Sequence, residues 1–132
     1  MKKHLVAVYG SLLSGLGNHR VIQGENTEFL GEFTSEPVYS LYSLGGFPGL
    51  KENGSTAVKM EVYSVDDDVA LDVDCLEGYQ EGRPATFYDK KPIETPWGTA
   101  SVYIYVDDIS EDRLVESGDW KEFVNQRNLS YA

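Results

Sequence analysis

Glu77 is the residue whose surroundings best suit proton transfer. It stands in Leu76-Glu77-Gly78-Tyr79, closing a stretch with helical spacing and flanked by apolar side chains. The negative end of a helix dipole and partial burial both disfavour an ionised carboxyl there. Each raises its pKa toward the range in which a carboxyl accepts and returns a proton near neutral pH. An exposed glutamate at a helix end fits the same local sequence. A second stretch, Val6 to Gly15, reads VAVYGSLLSG. An apolar strand ends at Tyr9-Gly10-Ser11-Leu12, where glycine permits close approach and successive N–H groups can meet an anion. A simple turn accounts for it equally well. No Gly-Lys-Ser/Thr follows, so it is not a nucleoside-triphosphate loop.

Other reactive residue types point to no site. Cys75 lies two residues before Glu77, but no histidine is close in sequence to activate it, and a buried helical cysteine is expected. Asp66, Asp67, Asp68, Asp72 and Asp74 lack the glycine turn and spacing of a calcium loop and read as a solvated helix start. One cysteine and two distant histidines, His4 and His19, make neither a disulfide nor a zinc site. Both histidines are expected at the surface. No metal and no cofactor is implied.

The bulk numbers bound the partners. A chain of 132 residues suggests one domain, residues 1–132, able to bury a core unaided. A formal net charge of −11 opposes binding to nucleic acid or to an anionic membrane surface. The opening MKKHLVAVYG has two lysines before apolar residues, but that stretch is short for a signal peptide and is broken by Tyr9-Gly10. It reads as a first strand, and a cytoplasmic location is expected. No apolar run is long enough for a transmembrane helix.

The elements that must position these residues are mostly strands. Leu5–Tyr9, Phe29–Thr34 and Val38–Leu44 are candidates, the last stopping at Gly45-Gly46. Ala57–Val65 sets Val58, Met60 and Val62 against Lys59, Glu61 and Tyr63, the alternation of a half-buried strand. Thr86–Thr95 and Thr99–Val106 flank a hairpin turn at Pro96-Trp97-Gly98, with Val102, Ile104 and Val106 on one face and Tyr103 and Tyr105 on the other. A short helix is expected within Ser14–Gly24. A longer one is expected over Asp66–Tyr79, with acidic residues at its start, Val69, Val73 and Leu76 on one face, and Gly78 as its cap. A third opens at Asp119 with capping-box spacing, Trp120, Phe123 and Val124 sharing a face. Many short strands with few helices indicate an α+β domain or a small mixed barrel.

Taken in order, these pieces resemble the gamma-glutamylcyclotransferase-like (AIG2-like) family. Tyr9-Gly10-Ser11-Leu12 is similar to its YGSL loop after the first strand, with Asn18 at a familiar distance. Leu44-Gly45-Gly46-Phe47-Pro48-Gly49-Leu50 resembles its LGxxPGL segment, and Val58–Val65 its V-x-G-E-x-Y-x-V strand, with Met60 in place of glycine. Asp74 to Tyr79 resembles D-x-x-E-G-Y, and Ser117-Gly118-Asp119-Trp120 its SGDW. The family's usual Y-x-R is matched only by Tyr88-Asp89-Lys90, after an apparent insertion at Gln80-Glu81-Gly82-Arg83-Pro84, with Ile93 at the next apolar position. Lysine does not reproduce arginine's planar bidentate hydrogen bonding.

The resemblance implies an α+β fold, a small mixed β-barrel with flanking helices. It implies release of 5-oxoproline from a small-molecule gamma-glutamyl amine or peptide. Glu77 would be the catalytic acid/base, Tyr9, Gly10, Ser11 and Leu12 would line the substrate pocket, and Tyr9 and Tyr88 would wall it. For the tyrosines, packing in the sheet is the alternative. A non-catalytic module on the same fold that binds a gamma-glutamyl or amino-acid ligand, and a partner-binding protein with an aromatic sheet face, are the rival functions.

Overall fold

The computed structural model describes residues 3–80, 82–83 and 87–130, with side chains to residue 127. Along the chain run β1 (His4–Val8), β2 (Glu28–Thr34), β3 (Tyr39–Ser43), β4 (Pro48–Glu52), β5 (Lys59–Val65), α1 (Asp67–Leu76), β6 (Tyr88–Thr95), β7 (Gly98–Tyr105) and α2 (Trp120–Ser130). Five strands form one sheet in the order β2-β5-β1-β7-β6, and β3 pairs with β4 in a second. β1 is central, antiparallel to β5 and parallel to β7. Val6, Ala7 and Val8 are all buried, as a strand covered on both faces requires.

The mixed α+β class stands, but the sheets do not close into a barrel. β2 and β6 are terminal strands of the larger sheet, and the β3–β4 ladder is separate from it. Side chains cross the seam instead. The Tyr88 hydroxyl donates to Pro48 O at 2.6 Å, and Lys51 Nζ donates to the carbonyls of Tyr105 and Asp107 at 2.9 Å each. Closure needs a continuous backbone ladder, and here the seam holds a cavity.

Strand assignment was otherwise close. β4 was not anticipated, and the predicted start of the β6 strand at Thr86 lies outside the described residues. In the hairpin, Thr95 pairs with Gly98, so the loop is Pro96-Trp97. β5 is not half-buried. Met60 and Val62 are fully covered on one face, Glu61 and Tyr63 nearly so on the other. The second face lies beneath the segment that follows β1: Ser14 bonds Glu61, and the His19 ring sits 5.7 Å from that of Tyr63. β7 is likewise covered on both faces, with Val102, Tyr103 and Ile104 all buried. The expected helix within Ser14–Gly24 is only a 3₁₀ turn at His19–Val21.

Both α-helices begin as their sequences require. The Asp66 carboxylate accepts from the N–H of Val69 at 3.0 Å, and Asp67 and Asp68 occupy the first turn. The Asp119 carboxylate accepts from the N–H of Glu122 at 3.1 Å, and buried Trp120 stacks on Phe123. α1 buries Val69 and Val73 but leaves Leu76 42% exposed, because its last turn runs past the core. Cys75 is exposed there too, not buried as expected. His4 and His19 are half-buried; His4 pairs with Asp67, and His19 Nδ1 lies 2.8 Å from Leu12 O. No helix among the described residues is long and apolar enough to cross a membrane.

Candidate functional site

A cavity of about 430 Å³ opens in the seam. Several separate stretches of the chain build it. The loop after β1 contributes Tyr9, Gly10, Ser11 and Leu12, the end of α1 contributes Cys75 to Gly78, and Gly46 to Pro48 face Phe87, Tyr88 and Tyr103. All six residues expected at the site, Tyr9, Gly10, Ser11, Leu12, Glu77 and Tyr88, therefore line one cavity.

Why α1 ends at Glu77 is visible in its cap. Gly78 adopts a positive φ of 71°, its N–H donates to Cys75 O at 3.2 Å, and the N–H of Tyr79 donates to Asp74 O at 2.8 Å. This is the paired bonding of a glycine-terminated helix, and it leaves Glu77 as the last residue before the chain turns. One turn earlier, Asp74 accepts from the Tyr103 hydroxyl and lies 3.0 Å from Lys90 Nζ. The Lys90 ammonium also sits over the Tyr79 ring. Lys90 thus fixes the end of α1 and does not line the cavity.

Burial raises the Glu77 carboxyl to about 7. Burial, one of the two causes expected, is the one that raises it here. The same desolvation, followed by the charge of Glu77, pushes the Tyr88 phenol well above its usual range. Tyr9 is raised by burial, then by Tyr88 and Glu77. Both phenols stay protonated at neutral pH and are tied to backbone carbonyls, Tyr9 to Tyr103 O at 2.7 Å and Tyr88 to Pro48 O. They are walls, and the titration near neutrality belongs to Glu77.

The loop after β1 is held from behind. Ser14 donates through its N–H and its hydroxyl to the Glu61 carboxylate, each at 2.8 Å, and Tyr63 and Lys121 donate to the same group. Asn18 donates from its N–H to Ser11 O and from its amide to Ser11 Oγ. The N–H groups of Gly10, Ser11 and Leu12 donate to no acceptor among the described residues. Gly10 is required by contact: a Cβ there would lie 2.4 Å from Pro48 Cγ. Gly10→Ala is expected to displace Pro48 at about 1–3 kcal/mol, read as a lower urea midpoint at unchanged slope.

Sequence reasoning left Phe47, Pro48, Phe87 and Tyr103 without a place in the site and put Leu76 in the core. The signal for the first two was LGGFPGL, where a double glycine makes the turn that brings Phe47 and Pro48 to the seam. Among the described residues, no group of acidic, histidine and cysteine side chains is arranged to hold a metal ion.

Comparison with known proteins bears on what such a cavity is for. Residues 6–122 match the family model described as gamma-glutamyl cyclotransferase, AIG2-like. A Vibrio cholerae relative is 42% identical over 118 residues, covering 89% of this chain and 96% of its own. The gamma-glutamylcyclotransferase family protein YtfP of Escherichia coli is 36% identical over 115 residues, covering 87% of this chain and 94% of its own. An uncharacterised protein from Pyrococcus horikoshii superposes with a TM-score of 0.79 at 26% identity, over 98% of this chain and 99% of its own. The matched span runs from β1 into α2 and takes in every described residue that lines the cavity, and on that ground the chain belongs to the AIG2-like gamma-glutamyl cyclotransferase family.

Proposed function

We propose that the protein cyclises a gamma-glutamyl amine or peptide to 5-oxoproline and releases the free amine, with Glu77 as acid and base. The observation that carries this reading is one half-buried carboxyl among the described lining residues, raised to about 7, in the same cavity as Gly10, Ser11 and Leu12, whose N–H groups meet no acceptor among the described residues.

The substrate's α-nitrogen attacks its own γ-carbonyl carbon. A ring C–N bond forms and the amide C–N bond to the amine breaks. Starting from the α-ammonium, two protons leave the attacking nitrogen, and the departing nitrogen gains two and leaves as an ammonium. Glu77 relays them in turn. No covalent enzyme intermediate is needed.

Magnitudes favour this division of labour. Holding the folded-back conformer is worth up to about 7–11 kcal/mol. The α-ammonium titrates near 8, so an ordinary glutamate would take its proton at a cost of about 5 kcal/mol. With a pKa of about 7, Glu77 takes it for about 1.4 kcal/mol. The N–H groups of Gly10, Ser11 and Leu12 would hold an anionic oxygen, the α-carboxylate or the developing oxyanion. Backbone donors do this in a chain of net charge −11 without a basic side chain in the cavity.

The test is incubation with a panel of gamma-glutamyl amines and dipeptides, followed by detection of 5-oxoproline. Product from at least one is expected; binding without product would mark a gamma-glutamyl-binding module. Cys75→Ser is expected to retain most of the turnover, since the thiol is at the mouth and takes no part in the relay. A folded but inactive Cys75→Ser variant would make the sulfur a participant.

A further inference from the structure

We infer that the amine half of the substrate is apolar and carries no carboxylate, and that Phe47, Leu76 and Phe87 select it. The inference rests on the cyclotransferase reading above and concerns the end of the cavity that reading leaves unassigned.

The cavity has two unlike ends. Tyr9, Leu12, Tyr88 and Tyr103 are buried, whereas Phe47, Leu76 and Phe87 are 48%, 42% and 58% exposed. These three come from separate parts of the chain: the turn between β3 and β4, the last residue of α1, and the residue before β6. Large apolar side chains left half in water around one opening mark a binding surface. Phe87 is placed by contact, its ring against Gly78, where an added Cβ would come within 2.9 Å of it.

At about 430 Å³ the cavity is in the range that encloses a drug-sized ligand. If the glutamyl group takes the amide donors and Glu77, the amine leaves across the apolar rim.

Charge sharpens the choice. Among the described residues lining the cavity there is one carboxyl, Glu77, and no lysine, arginine or histidine. The other cations named here are engaged elsewhere or lie outside the lining. Lys90 is bound to Asp74, Arg127 donates to Gly45 O and lies over Trp120 and Phe123, and Arg83 is exposed and does not line the cavity. A second carboxylate on the substrate would lose water without gaining a partner, close to an acidic side chain. A gamma-glutamyl dipeptide carries such a carboxylate, and a gamma-glutamyl amide of a simple amine does not.

Three compounds separate the terms. Gamma-glutamyl-phenethylamide and gamma-glutamyl-phenylalanine differ by the carboxylate, and gamma-glutamyl-ethylamide lacks the ring. The expected kcat/KM for the phenethylamide exceeds each of the others by about tenfold or more. Leu76→Ala and Phe87→Ala are expected to raise KM for the phenethylamide several-fold more than KM for the ethylamide, and an equal rise for both would overturn the selection assigned to these side chains. Equal or better use of gamma-glutamyl-phenylalanine, or no advantage of the ring, overturns the inference while leaving the cyclotransferase reading intact. If none of the three is cyclised, calorimetric titration decides. Tightest binding of the phenethylamide upholds the apolar subsite with the cyclotransferase reading lost, and any other ranking, or no binding, overturns the subsite as well.

Discussion

Glu77→Gln is expected to fold and to lose 5-oxoproline formation by about 10²- to 10⁴-fold in kcat, the usual worth of a positioned acid/base. The amide keeps the shape of the carboxyl and removes only its proton chemistry. The same substitution has a second consequence of opposite sign. The Glu77 carboxyl is raised from 4.5 to about 7, so the folded state holds its proton more tightly than the unfolded state. That contribution to stability is complete below about 4.5 and is lost as pH rises through about 7. Above 7 the wild-type protein carries a desolvated charge costing up to about 3 kcal/mol. Glu77→Gln is therefore expected to melt several degrees above wild type at pH 8, with the gap closing by pH 5. Thermal unfolding at the two pH values reads it directly, and a variant less stable than wild type at pH 8 would contradict the burial assigned to this carboxyl.

Glu61→Ala is expected to cost about 3–5 kcal/mol, a large share of a small domain's total stability. Glu61 is 3% exposed and receives hydrogen bonds from the N–H and hydroxyl of Ser14 and from the Tyr63 hydroxyl, all at 2.8 Å, and from Lys121 Nζ at 3.2 Å. Removing it leaves three donors without their acceptor, while the Lys121 ammonium, about a third exposed, keeps only Ser14 Oγ among the described residues. Burial by itself would raise its pKa, but these bonds outweigh burial and hold it below the usual carboxylate range. Its contribution is thus present above the ordinary glutamate pKa and fades as pH falls. The difference between wild type and Glu61→Ala, measured by urea unfolding, is expected to be full at pH 7 and smaller at pH 4. Loss of the anchor also frees the loop that carries Gly10 to Leu12, so turnover falls even where the variant is folded.

How far the sequence led depended on how local the cause was. α1 was legible because Asp66 and Gly78 cap its two ends within the segment itself. The β6–β7 hairpin was legible from Pro96-Trp97-Gly98 between two β-rich runs. β4 was not, because Pro-Gly-Leu-Lys-Glu has no alternation and becomes a strand only through its pairing with β3, Leu50 opposite Leu41. Proline is tolerated there as the first residue of the strand. Barrel closure could not be read locally either, since it depends on whether distant strands share a ladder.

Glu61 and Leu76 show the same limit from opposite sides. Alternation put Glu61 outward, and it does face away from the main core, but the segment after β1 folds over that face. Helical spacing put Leu76 inward, and the helix ends beyond the core. For Glu77 the local sequence allowed an exposed glutamate, and the family resemblance pointed to an acid/base. The structure sets that carboxyl in the wall of a cavity, where burial raises it.

The account stands on the protonation of that one carboxyl. A ¹³C NMR titration of its side-chain carbon, assigned by its absence in Glu77→Gln, measures it. A midpoint near pH 7 is predicted, and a midpoint in the ordinary range near 4.5 would contradict the account.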